Sequence, residues 1–107
     1  MSMLPEGVTI TWLIDDEIEP EAGLSLARMT IGPGVISEPH RHTNCTEAIH
    51  VISGAVRQRS AECWVTLEQG QTILIPVGAV HQTHNVSKEK ATLMIAYSSG
   101  SRVYEPT

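Results

Sequence analysis

The rhythm of this chain constrains its fold most. Short apolar runs of four to eight residues recur from end to end, each cut off by Gly, Pro or a cluster of polar turn formers. Residues 8–14 alternate apolar and Thr positions before an acidic turn, Asp15-Asp16-Glu17 with Glu19 and Glu21, broken by Pro20 and Gly23. That acidic run reads as a solvated loop. Further strands are expected over 24–31, 46–52, 56–59, 63–67, 71–75, 81–85 and 92–97. No segment sustains a 3.6-residue period with caps at its ends, so almost no helix is expected. Eight or so short strands at this spacing build an all-β sandwich or barrel. With no Phe and only 4% aromatics, the core must be aliphatic, and ten Ile and nine Val favour sheet. A chain of 107 residues with no long linker, repeat or low-complexity tract is expected to be one domain, 1–107.

Charge narrows the partners. The net charge is -5 and no basic stripe is present, which argues against nucleic acid and against an anionic membrane surface. No apolar run approaches the roughly 18 residues of a spanning helix, and no signal peptide is visible at the start. The two cysteines, Cys45 and Cys63, read as reduced thiols rather than a disulfide framework, so a cytoplasmic location is expected. A small barrel with uncovered edge strands also invites self-association, and 8–14 is the strand best suited to extend a neighbour's sheet; a homodimer is expected.

All five His fall between residues 40 and 84. In His40-Arg41-His42 the two imidazoles, at i and i+2 of an extended segment, point to one face while Arg41 points away. Glu47 opens a strongly apolar run, where a buried carboxylate needs a partner such as a metal ion. Counting by twos puts Ile49 and Val51 on the face of Glu47 and His50 on the other. His81 follows the tight turn around Gly78. Three His and one Glu make an N/O donor set without thiolate, suited to Fe, Mn, Ni, Co or Zn as the divalent ion. Four protein ligands leave two positions of a six-coordinate ion for substrate, water or O₂. Surface histidines paired by chance are the alternative on these residues alone.

The pattern is longer than a His-x-His pair. Gly34, His40, His42, Glu47 and Gly54 match G-x5-H-x-H-x4-E-x6-G, the first cupin motif, at every fixed position. Gly70, Pro76, Gly78, His81 and Asn85 match the second, G-x5-P-x-G-x2-H-x3-N. The chain thus resembles a small single-domain cupin, with motif one over 34–54, motif two over 70–85 and fifteen residues between them. The resemblance implies a small antiparallel jelly-roll β-barrel with one metal in its mouth, held by His40, His42, Glu47 and His81. The four motif glycines sit at corners where a positive φ is expected. Asn85 reads as a turn former.

The remaining residues carry weaker expectations. Thr83, Ile49 and Val51 are expected in a substrate pocket, and Arg28 is the one cation placed to meet an anionic substrate, although its inward or outward orientation is open. His50 and His84 are expected to face away, Cys45 to lie near the metal without binding it, and Cys63 to act as a small core hydrophobe. The leading function is a metal-dependent enzyme on a small chelating oxygenated metabolite, with a dioxygenase slightly ahead of a lyase or isomerase. Glu47 would be a base if it loosened from the metal. A non-catalytic, metal-dependent binding module is the alternative, and a closed structural metal site a third reading.

Overall fold

The computed structural model describes residues 4–107. Ten strands follow one another: β1 (Val8–Ile14), β2 (Ser25–Ile31), β3 (His40–His42), β4 (Glu47–Ser53), β5 (Ala55–Ser60), β6 (Cys63–Glu68), β7 (Thr72–Ile75), β8 (His81–His84), β9 (Ala91–Tyr97) and β10 (Tyr104–Pro106). They form two five-stranded antiparallel sheets, ordered β1-β2-β9-β4-β7 and β10-β3-β8-β5-β6. No helix occurs among the described residues. The sheets face each other as a jelly-roll sandwich; ladder hydrogen bonds do not close them into a continuous barrel.

The strands follow the period-2 rule. On β2, Ala27, Met29 and Ile31 are buried while Leu26 and Arg28 turn outward. On β4 and β9 the inward rows are Glu47, Ile49, Val51 and Leu93, Ile95, Tyr97. Val56 and Leu67 meet these rows from the opposite sheet, so one aliphatic core fills the space between layers. Its few aromatic contributions come from Tyr97 and from Trp12, which packs at 5.8 Å on the Tyr97 ring.

Two glycines set the corners that matter. Gly54 carries the chain from β4 to β5 at φ 86°, and a Cβ there would meet the backbone and side chain of Ala91 at 3.0 Å. Only Gly fits both demands. Gly78, at φ 80°, turns the chain before β8, and its N–H donates to the His42 carbonyl at 2.8 Å. That bond ties the His81 turn to β3.

Two differences from the sequence-based expectation stand out. β3 and β10 are three residues each, too short to show a periodicity, and they pair with each other. Cys63 is exposed, not a core residue. It lies on β6, the edge of its sheet, where Leu67 alone is buried.

Candidate metal centre

β3 and β8 bring three imidazoles together from one sheet. His40 is registered opposite His81 across the β3–β8 pair, and their ring centroids are 4.1 Å apart. His42 lies 5.2 Å from His40 and 5.1 Å from His81 on the same measure. Arg41, between the two histidines, turns away and pairs with Glu105 on β10, its Nε 3.0 Å from the carboxylate. The fourth group comes from the other sheet: Glu47, at the mouth end of β4, faces inward. One donor atom from each of His40, His42, Glu47 and His81 falls within 4.8 Å of the others. The cluster therefore sits where the two sheets meet.

Backbone carbonyls fix the imidazole tautomers. The Nδ1–H groups of His40, His42 and His81 donate to the carbonyls of Glu38, Val103 and Ala79 at 2.9, 3.0 and 3.0 Å. A carbonyl only accepts, so Nδ1 carries the proton and a neutral ring presents a bare Nε2 lone pair. The Nε2 atoms of His42 and His81 each lie 3.0 Å from Glu47 Oε1. All three of these atoms are shut off from solvent and lack a well-formed hydrogen bond. Lone pairs converging on a carboxylate oxygen repel unless a cation lies among them. Three imidazole nitrogens and one carboxylate are donors for a borderline divalent ion, so these residues fit the metal that the motifs imply.

The same geometry governs ionisation without metal. Burial alone would raise the Glu47 carboxyl, but the imidazoles of His42 and His81 hold it down to about 2. Burial, followed by the charge of His81, pushes His40 down to about 4. His81 moves the other way: burial disfavours its cation, yet the Glu47 carboxylate outweighs burial and raises it.

A cavity of about 50 Å³ opens beside the cluster. Apolar side chains, Val8, Ile10, Met29 and Ile95, form most of its wall, and Glu38, Arg102 and Tyr104 supply polar groups. The Tyr104 ring stacks on His40 at 4.5 Å, and its hydroxyl donates to Glu38 at 2.5 Å. Thr83 lines the cavity on the His81 face of β8, and its hydroxyl donates to the buried Gln58 at 2.6 Å.

The pocket expectations for Arg28, Ile49 and Val51 are corrected. Arg28 is exposed on the outer face of β2, bordering a shallow depression with Thr11, Thr30 and Lys90. The alternation that buries Ala27 and Met29 requires this. Ile49 and Val51 share the face of Glu47 but lie deeper along β4, fully buried in the core and outside the cavity wall. His50 turns outward to the Thr72 hydroxyl at 2.7 Å. His84 is half-buried and outside the donor cluster. Cys45 is buried in the core and also outside it; burial raises its thiol. Asn85 holds its turn, its amide donating to the Ile31 and Glu89 carbonyls at 2.9 and 2.7 Å.

Glu38, Arg102 and Tyr104 were not anticipated. Glu38 shares parity with His40 and His42, a legible signal. Arg102 and Tyr104 reach the cavity only because β10 pairs with β3, and nothing local announces that pairing.

Known proteins resemble this chain in sequence and in fold. Germin-like protein 3-8 of Oryza sativa subsp. japonica is 32% identical over 82 residues, covering 72% of this chain and 36% of that protein. Germin-like protein subfamily T member 2 of Arabidopsis thaliana is 34% identical over 93 residues, covering 79% and 42%. The chain thus spans well under half the length of these relatives. Among solved structures, an oxalate oxidase superposes with a TM-score of 0.86 at 25% identity, over 96% of this chain and 56% of that one. The Lactobacillus farciminis oxalate decarboxylase formate complex shares the fold at a TM-score of 0.86 and 20% identity, over 95% of this chain and 32% of the other. The cupin domain family pattern matches residues 27–97, and with both motifs on the strands described above, this chain belongs to the cupin family.

Proposed function

We propose that residues 1–107 work as one cupin domain that holds a single divalent transition metal through His40, His42, Glu47 and His81. In this reading the domain is an enzyme acting on a small, chelating, oxygenated metabolite. The observation that carries it is the set of buried Nε2 lone pairs and one carboxylate oxygen, oriented by backbone carbonyls toward a common point. A bound ion of this class polarises a chelated oxygen as a Lewis acid and, if redox-active, brings O₂ beside it.

The chain's own residues do the rest. The carbonyls of Glu38, Val103 and Ala79 hold the rings in their ligating tautomer. Apolar side chains of β1, β2 and β9 exclude bulk water from one side of the cavity. Tyr104 and Glu38 form a hydrogen-bonded acid–base pair at that cavity, able to hold or move a proton at the tyrosyl oxygen. Glu47, whose Oε1 is within reach of two imidazoles, is the base of a lyase or isomerase route if it leaves the metal. At about 50 Å³ the cavity has room for roughly four waters, which suits a substrate of few heavy atoms. Oxalate oxidase, solved with glycolate, and oxalate decarboxylase, solved with formate, are similar proteins with ligands of that scale. Oxidative C–C cleavage with O₂ is therefore the first activity to assay, ahead of isomerase or lyase chemistry. A metal-dependent binding module is the second reading, favoured if ligands bind tightly without turnover.

Cys45 and Cys63 as free thiols support a cytoplasmic location, and no helix among the described residues is long and apolar enough to cross a membrane. The deciding experiment is metal analysis of untagged protein beside His40→Ala. One equivalent of transition metal in the first and a large loss in the second is expected. Equal metal content in both overturns the ligand assignment. Turnover is then followed as O₂ consumption and product mass over diketones, catechols and keto acids.

A further inference from the structure

Among the described residues, Arg102 is the one unexplained cation at the cavity. It sits on the segment between β9 and β10, and its guanidinium carbon lies 4.9 Å from the Trp12 ring centroid, 5.2 Å from Tyr104 and 5.3 Å from Tyr97. Three aromatic rings thus fix its position. It borders the cavity that holds His40, Glu47 and His81. It also borders an outer pocket with Asp15, Asp16 and Glu17, yet no carboxylate among the described residues comes within 4.0 Å of it. Its Nε is shut off from solvent and finds no acceptor among the described residues. A guanidinium held by rings, with a dry unpaired N–H, is built to receive planar oxygens.

We propose that Arg102 anchors a carboxylate of the substrate while the substrate's other oxygens occupy the metal centre, which makes the substrate class a small carboxylic acid rather than a neutral diketone or a catechol. This rests on the metal reading above. It moves the anion-recognising role from Arg28 to a residue inside the cavity. It also accounts for a cation next to a metal site: a dianionic chelator leaves oxygens beyond the metal that need a second positive partner.

The test uses protein loaded with Co(II), whose visible spectrum reports chelation directly, titrated with oxalate and with acetylacetone. Oxalate keeps two oxygens free when it chelates; acetylacetone has methyl groups there. Arg102→Met, which keeps the length of the stem, should leave cobalt content unchanged and weaken oxalate about tenfold to a hundredfold. Acetylacetone should change by less than about threefold, within the range of a merely altered surface. Arg102→Lys should fall between wild type and Arg102→Met for oxalate. Unchanged oxalate affinity in Arg102→Met overturns the assignment, as does equal weakening of both probes or an Arg102→Lys no better than Arg102→Met. Wild-type protein that takes up no cobalt removes the metal reading itself, and this inference falls with it.

Discussion

His40 is held neutral by its surroundings down to a pKa of about 4, where an unfolded chain's imidazole would take a proton near 6.5. Between those values the unfolded chain binds a proton that the fold excludes, so metal-free protein loses stability as the pH falls. Glu47 continues the trend: its carboxyl is held at about 2 rather than 4.5, and its contribution, complete above 4.5, fades toward 2. His81 has the opposite sign. Its raised pKa stabilises the metal-free fold below 6.5 and the effect is lost on the alkaline side. Metal reverses that alkaline loss, because the ion requires neutral imidazoles and competes with protons for them. Urea midpoints of metal-free protein should therefore fall from pH 6.5 to 4.5, and the fall should be shallower in His40→Ala. Parallel curves for the two proteins would refute the role given to His40. Retained metal should drop over the same acid range. At this scale parity made much legible: it paired His40 with His42 and turned Arg41 and His50 away. It could not orient Arg28, because its strand carries apolar residues on both faces and only the partner strands decide which face is covered.

The corners between strands were legible as glycines, but their different costs were not. Gly54 and Gly70 share a φ of 86°, so each would place an alanine in the left-handed region. At Gly70 a Cβ meets nothing within 4 Å, whereas at Gly54 it reaches the backbone and Cβ of the buried Ala91 at 3.0 Å. Backbone strain alone should cost Gly70→Ala about 1 kcal/mol. Gly54→Ala should cost about 2–3 kcal/mol, since β9 must also shift. At this size each kcal/mol lowers Tm by about 4–8 °C, so calorimetry separates the two variants. Equal losses would show that the close approach to Ala91 relaxes freely. The longer strands were readable because four or more residues display an alternation; β3 and β10 were not, because three residues cannot. That gap hid Arg102 and Tyr104, whose place at the cavity depends on Tyr104 lying opposite His42.

Two open sheets leave four edges, β1, β7, β10 and β6, and they are unequally protected. β10 is three residues and ends in Pro106, and β7 is four residues. β6 exposes Trp64 and Val65 but carries the charge of Glu68. β1 is the longest, seven residues without a charge, a proline or a glycine, and Thr9, Thr11 and Leu13 point outward from it. Such an edge lacks the devices that keep sheets from pairing. Antiparallel pairing of β1 with β1 of a second copy would join two five-stranded sheets into one of ten, still within the usual range. The cavity wall also includes Val8 and Ile10 of β1, so association there would stiffen the strand that shields the metal centre. Sedimentation at micromolar concentration should give a dimer, and Thr11→Lys with Leu13→Lys should give a monomer by setting like charges against each other across the two-fold. If the dimer forms through β1, the double variant should also bind substrate analogues more weakly without losing metal. A wild-type monomer, or a double variant that remains dimeric, would rule out β1 as the joining edge.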